Sequence, residues 1–210
     1  MDMSLTDFDF ATAETDKTDK TDKTDFIDNQ AFLSTIFGNK SSDIKPVIVS
    51  FAGNPSKVHK SAWFGNPWTG NIETDVRLPP SANNYFSLAV FHPDEAGSYR
   101  RQKSQFHALH AVMLDDIGSK VDPERLTLLP TWLLETSPHN HQAGYLLSEP
   151  LTNGNMADRL MNAIVSSGLC DPGANGPQAR LARLPIAMNG KHNPPFRCRM
   201  LSWLPDKHFS

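Results

Sequence analysis

Cysteine is scarce in this chain. Its 210 residues include only 2, Cys170 and Cys198, and no C-x-x-C pair. That excludes a zinc ribbon or finger and a disulfide-stapled secreted scaffold. Both thiols are expected to be reduced and partly buried. No stretch approaches the ~18 apolar residues a membrane helix needs, so no membrane partner is expected. The N-terminus, MDMSLTDFDF, is acidic and lacks a basic region followed by an apolar one, so it is not a signal peptide. An intracellular setting is the default. The Gly-rich phosphate loops GxGxxG and GxxxxGK are missing. A dominant charge is missing too: 20 Lys and Arg stand against 23 Asp and Glu, a net charge of −3. The surface is therefore not coated in positive charge, although a local basic groove for nucleic acid is still allowed.

What remains is an ordinary globular composition, 39% hydrophobic and 20% charged, with enough apolar residues for a real core. Residues 1–25 stand apart. Thr15 to Asp25 reads TDKTDKTDKTD, with alternating signs and no apolar residue, and cannot offset its ordering entropy. It is expected to be a disordered spacer before a folded domain over 26–210. Phe8 and Phe10 beside it are candidates for docking on a partner. In the domain, Phe26, Ile27, Phe32, Leu33, Ile36 and Phe37 fall near helical spacing, with Gly38 as a C-cap. VIVSF (47–51) and NYFSLAVF (84–91) are strands. The loop between them carries Lys57, Lys60, Trp63 and Trp68. Basic residues interleaved with aromatics suit a nucleic-acid groove, and they equally suit tryptophans that cover a core edge. A helix is expected from about Tyr99, with Arg100, Arg101 and Lys103 contacting phosphate or merely solvating its face. TWLL and AGYLL flank a polar bend, ETSPHNHQ, as in a hairpin. Residues 156–169 have helical spacing, with Asn155 as N-cap and Gly168 as stop. Residues 170–179 are a Gly/Pro loop, and a short strand runs around Phe196 to Trp203. Strands and helices mix as α/β or α+β.

The stretch HAVMLDDIGSK (110–120) organises the rest. Four apolar residues form a buried strand that runs straight into Asp115 and Asp116. Buried carboxylates are costly unless a cation compensates them, and hard ions such as magnesium or manganese prefer oxygen ligands. The other reading is an acidic turn closed by Gly118. Adjacent strand residues point to opposite faces, so both aspartates can reach one site only if the backbone breaks regularity there.

LDDIG (114–118), ETSPHNHQAGYLL (135–147) and CDPGANGPQARLARLPIAMNGK (170–191), in that order, resemble the archaeo-eukaryotic primase superfamily. The likeness is to its RepB-like plasmid and phage branch and covers roughly residues 45–200. It implies a primase-like catalytic core: a central mixed or antiparallel sheet flanked by helices, with an RRM-like half. It implies a nucleotidyltransferase of the bacterial or phage-infected cytoplasm, with Mg2+ or Mn2+ and NTP or dNTP substrates. Its partners would be a single-stranded DNA template and a replicative helicase. Asp115 and Asp116 match the first motif, as metal ligands. Asp171, the only carboxylate between Asp158 and Asp206, takes the third acidic position. Ser137-Pro138-His139 fits the phosphate-contacting motif, while alignment of the turn favours His141 or Gln142. Arg180, Arg183, Asn189 and Lys191 match the polar end of the pattern and would hold triphosphate or template. Pro185-Ile186 stands where members often have Pro-Gly, and no second acid follows Asp171 in residues 175–178.

Metal carboxylates, phosphate-binding cations and a stacking groove are what nucleotidyl transfer requires. Lys57, Lys60, Trp63, Trp68, Arg100, Arg101 and Lys103 are the groove candidates. Two rivals use the same residues: a primase-like DNA-binding module without catalysis, and a metal-dependent single-strand nuclease.

Overall fold

The computed structural model describes residues 27–38, 43–71, 75–174 and 176–210. The tail reading for residues 1–25, and with it Phe8, Phe10 and Phe26, lies outside the described residues. Helix α1 (Asn29–Phe37) begins where the Asp28 carboxylate accepts the Ala31 amide at 2.7 Å, and ends at Gly38, whose φ is 69°. It buries Phe32, Leu33, Ile36 and Phe37, the residues whose spacing predicted it.

The strands are β1 (Lys45–Phe51), β2 (Asn66–Pro67), β3 (Asn83–Phe91), β4 (Phe106–Ile117), β5 (Trp132–Ser137) and β6 (Asn140–Leu151). After helix α2 (Gly154–Ser166) come β7 (Leu181–Arg183), β8 (Met188–Asn189), β9 (Phe196–Arg197), β10 (Arg199–Trp203) and β11 (His208–Phe209). Among the described residues, nine strands form one sheet in the order β10-β5-β6-β4-β3-β1-β2. β7 pairs with β3 and β11 with β6, while β8 and β9 make a separate pair. Among the described strand pairs, β11–β6 is parallel and the others are antiparallel. This is the mixed, largely antiparallel sheet with few helices expected for a primase-like α/β core.

β3 is central and buried along its whole length. β4 and β6 pair beside it, so the aspartates at the end of β4 lie near the middle of the sheet. Gly144 on β6 makes room for Trp132, whose indole fills the space a Cβ would occupy. Trp132 in turn packs edge-on against Phe32, at 5.3 Å between ring centroids, and so ties α1 to the sheet. Among the described residues, no helix is long and apolar enough to cross a membrane.

Four local expectations need correcting. Helix α2 is capped by Asn153, whose side chain accepts the Met156 amide at 3.1 Å, and already includes Asn155. Residues from Tyr99 do not form an α-helix; a single 3-10 turn, Lys103–Gln105, leads directly into β4. The segment has no apolar face to bury, and Gln105 pins it by donating to the carbonyls of His92 (3.0 Å) and Ser98 (2.7 Å). β4 starts at Phe106, ahead of the apolar run, so His107 and His110 lie on the strand. Trp68 is a core residue. It is 4% exposed, packs against Phe37 and donates to Gln30 Oε1, so no base can stack on it.

Candidate active site

β4 breaks its regularity at the aspartates. Leu114 pairs with Ala143 and Ile117 with His141, so Asp115 and Asp116 together oppose the single residue Gln142. This is a β-bulge. Asp116 adopts φ 60°, the left-handed region that Asp tolerates better than most residues. Gly118 follows with φ 92°, and a Cβ there would stand 2.3 Å from the His139 carbonyl oxygen. Both aspartates consequently line one cavity of about 820 Å³.

The two carboxylates have different partners. Asp115 Oδ2 pairs with Arg180 Nη2 at 2.7 Å, and Asp115 Oδ1 accepts from Gln142 Nε2 at 3.1 Å and from the Asp116 amide at 3.0 Å. Asp116 Oδ1 accepts from Asn140 Nδ2 at 3.0 Å, and Asp116 Oδ2 pairs with Lys120 Nζ at 2.8 Å. The same ammonium reaches Asp171 Oδ1 at 3.0 Å. Asp171 is thereby brought beside Asp116, although 55 positions separate them in the chain. Its other oxygen accepts the Gly173 amide at 3.0 Å. Behind Asp115, its amide donates to the buried Cys170 thiol at 3.3 Å, which locks the start of the Asp171 segment to the end of β4. Burial pushes the Cys170 thiol up to about 11, so it stays protonated. Burial also pushes the Asp116 carboxyl up, but hydrogen bonds from Lys120 and Asn140, helped by the charges of Lys120 and Lys191, overcome that and hold it below its ordinary value.

The hairpin separates its candidates. β5 ends at Ser137 and β6 starts at Asn140, so the bend is only Pro138 and His139. His139 has φ 58°, and its amide donates to Glu135. Alternation along β6 then puts Asn140 and Gln142 on the aspartate face and His141 on the other. Ser137, Asn140 and Gln142 line the cavity; His139 and His141 do not. His141 is buried and approaches the Ile117 carbonyl at 3.1 Å.

Arg180, Arg183, Asn189 and Lys191 line the same cavity. Arg183 is buried. It donates to Met188 O and Asn189 Oδ1, both at 2.8 Å, and its guanidinium lies 4.6 Å from the Tyr85 ring centroid. Among the described residues no carboxylate lies within ion-pair distance of it. Asn189 also donates to Thr136 O at 2.8 Å, which braces this wall against β5. Of the groove candidates, Trp63 and Arg101 line the cavity. Arg101 ties two loops together through Trp63 O (2.5 Å) and Ala179 O (2.8 Å), and burial pushes its guanidinium pKa down. Lys57, Lys60 and Arg100 are exposed outside the cavity, and Lys103 is paired with Asp158 at 2.7 Å.

Sequence reasoning missed Lys120, Asn140 and Tyr85. Asn140 was recoverable, because it lies two residues before Gln142 on a strand. Lys120 lies four residues after Asp116, but only the folded loop brings it back.

Among the described residues, no three His, Cys, Asp or Glu side chains converge tightly enough to hold a metal ion. The donor chemistry nevertheless suits a hard cation. Asp116 and Asp171 already share one, the Lys120 ammonium, and carboxylate oxygens are what magnesium and manganese take.

No family model matches the sequence, and no curated protein does. Solved structures do match. The AEP domain of the cyanophage S-2L primase-polymerase (PrimPol) is similar with a TM-score of 0.54 and 9% identity, over 84% of this chain and 89% of that one. The primase RepB' is similar with a TM-score of 0.55 and 13% identity, over 86% of this chain and 58% of that one. The catalytic domain of primase RepB', in complex with initiator DNA, gives a TM-score of 0.52 and 13% identity over 86% and 87%. The chain has an archaeo-eukaryotic primase-like fold.

Proposed function

We propose that this chain is a primase or primase-polymerase catalytic domain that joins nucleotides on a single-stranded DNA template. The observation that carries the reading is the meeting of Asp116 and Asp171 around one cation; Asp116 and Asp115, though not Asp171, line a cavity together with Arg180, Arg183 and Lys191. Asp116 and Asp171 would hold a magnesium or manganese ion, with Asp115 beside them; such an ion activates the attacking oxygen and neutralises the leaving pyrophosphate. The chain's own residues do the rest. Arg183, fixed from several sides, presents a preorganised positive charge to a triphosphate at little reorganisation cost. Lys191 adds a further cation, Arg180 adds one already paired with Asp115, and Ser137 and Asn140 offer hydrogen bonds from the hairpin. Trp63, half-buried at the cavity rim, offers a stacking face to a base. A replicative helicase partner and a cytoplasmic setting belong to the same reading.

The second reading, a DNA-binding module without catalysis, is favoured by Asp115, whose carboxylate is engaged by Arg180 and Gln142. One assay separates them. Purified chain, single-stranded template, labelled nucleotide and Mg2+ or Mn2+ should give templated dinucleotides and longer products. Asp116→Asn with Asp171→Asn should lower the yield at least ~100-fold, the scale on which catalytic electrostatic groups act. Equal yield from that double variant sinks the site assignment. Template binding without incorporation selects the second reading, and shortened template selects a nuclease.

A further inference from the structure

Lys120 is held where it is by the backbone around it. Three amides, those of Ser119, Lys120 and Val121, converge on the Asp116 carbonyl at 3.3, 2.9 and 3.0 Å. The Gly118 amide donates to Val121 O at 2.8 Å. The Lys120 Cα therefore cannot drift from Asp116. The side chain beyond it is 60% exposed, and its ammonium contacts Asp116 and Asp171, whose side chains are only 24% and 18% exposed. A flexible arm on a rigid base is thus delivering one positive charge to two half-buried acids. Its own pKa is raised, first by the hydrogen bond to Asp116 and then by that to Asp171.

Resting on the function proposed above, we propose that Lys120 is a tethered stand-in for the divalent ion, which keeps Asp116 and Asp171 together in the metal-free protein and must leave for the ion to bind. Two facing carboxylates repel each other, and the ammonium between them removes that repulsion. It covers the same oxygens that a metal ion would take. A divalent ion carries twice the charge and binds at ~2.0–2.6 Å, inside the reach of an ammonium. The two cations exclude each other, because like charges cannot share the same pair of oxygens. The exposed stem lets the ammonium swing into water without disturbing any packing. Metal affinity is consequently set by a competition inside the chain.

The experiment measures Mn2+ binding to the full chain from the electron paramagnetic resonance signal of the free ion. Lys120→Met keeps the stem and removes the charge. It should bind Mn2+ about tenfold more tightly, the strength of two exposed ion pairs written as an equilibrium constant. Lys120→Gln gives a second variant should the first fold poorly, and Lys120→Arg should stay close to the parent chain. Lys191→Met removes a charge that acts on Asp116 without touching it, and should change affinity less than about threefold. Equal or weaker binding by Lys120→Met overturns the inference, and so does an equal gain from Lys191→Met. If that happens while the parent chain still joins nucleotides, the proposed function stands and only the stand-in role fails. If Asp116→Asn with Asp171→Asn keeps full Mn2+ affinity, the ion binds elsewhere and both readings fail.

Discussion

At the scale of single residues, the site depends on two backbone conformations that ordinary strand residues avoid. Asp116 at φ 60° and Gly118 at φ 92° turn the chain so that neighbouring aspartates share a cavity. Gly118→Ala would combine a strained φ with a Cβ 2.3 Å from a carbonyl oxygen of the hairpin. It should cost about 3 kcal/mol in urea unfolding; a loss under ~1 kcal/mol would mean that the loop opens easily. The Asp116 carboxyl makes a second prediction. Its hydrogen bonds from Lys120 and Asn140 outweigh burial and hold its pKa below the ordinary value. A carboxyl depressed in the folded state adds stability above its unfolded pKa, and that stability disappears as pH falls through the folded one. Thermal stability should therefore decline as pH drops below ~4, and Asp116→Asn should flatten that decline. An unchanged acid limb in the variant would show that its hydrogen bonds do not persist in solution.

At the scale of elements, strand register decides which side chains reach the cavity. Gln142 on β6 donates to Asp115 on β4 and accepts the Arg183 amide of β7 at 3.1 Å, so one buried amide joins three strands. Gln142→Leu would strip both partners and should destabilise the fold by roughly 1–3 kcal/mol by urea unfolding. It should also weaken any incorporation activity; full stability in the variant would mean that water replaces the amide. The same register explains what could be read from the sequence. The runs VIVSF, NYFSLAVF, TWLL and AGYLL were legible as strands because each is a short, mainly apolar run, and each lies mostly buried in the sheet. The need for a backbone break after Asp115 was legible too, from strand alternation alone. The choice among His139, His141 and Gln142 was not. It depends on the bend being Pro138 and His139 only; one more residue there would have put His141 on the aspartate face. The expected helix from Tyr99 failed for a related reason. Arg101 and Gln105 are drawn inward by carbonyls distant in the chain, which no local pattern encodes. Trp68 looked like a groove aromatic because it follows Trp63 in the same loop, yet the two lie on different sides of the folded segment, one in the core and one at the cavity.

At the scale of the whole molecule, a net charge of −3 means that the template binding proposed above would depend on local fields. The cavity wall is basic, and a second basic strip lies outside it. Arg100 stacks its guanidinium over the ring of Phe64, 5.2 Å from its centroid, and Phe64 is 52% exposed. Phe64 follows Trp63, a residue of the cavity lining, in the chain, and the exposed Lys57 and Lys60 precede it in the same segment. An exposed aromatic under an arginine, with lysines a few residues earlier in the chain, is a candidate surface on which a base can stack while phosphates pair. A template lying there would release counterions, so log affinity for single-stranded DNA should fall linearly with log salt, at a slope near −0.7 per phosphate contact. Fluorescence anisotropy with a labelled oligonucleotide measures that slope. Lys57→Gln, Lys60→Gln and Arg100→Gln should each reduce its magnitude by about 0.7. Phe64→Ala should weaken binding by ~1–3 kcal/mol with the slope unchanged, because stacking releases no ions. Lys103→Gln should leave the slope alone, since that ammonium is already paired with Asp158. If the slope ignores Lys57, Lys60 and Arg100 but falls with Lys191→Gln, the template runs through the cavity itself and the outer strip is only a solvated face.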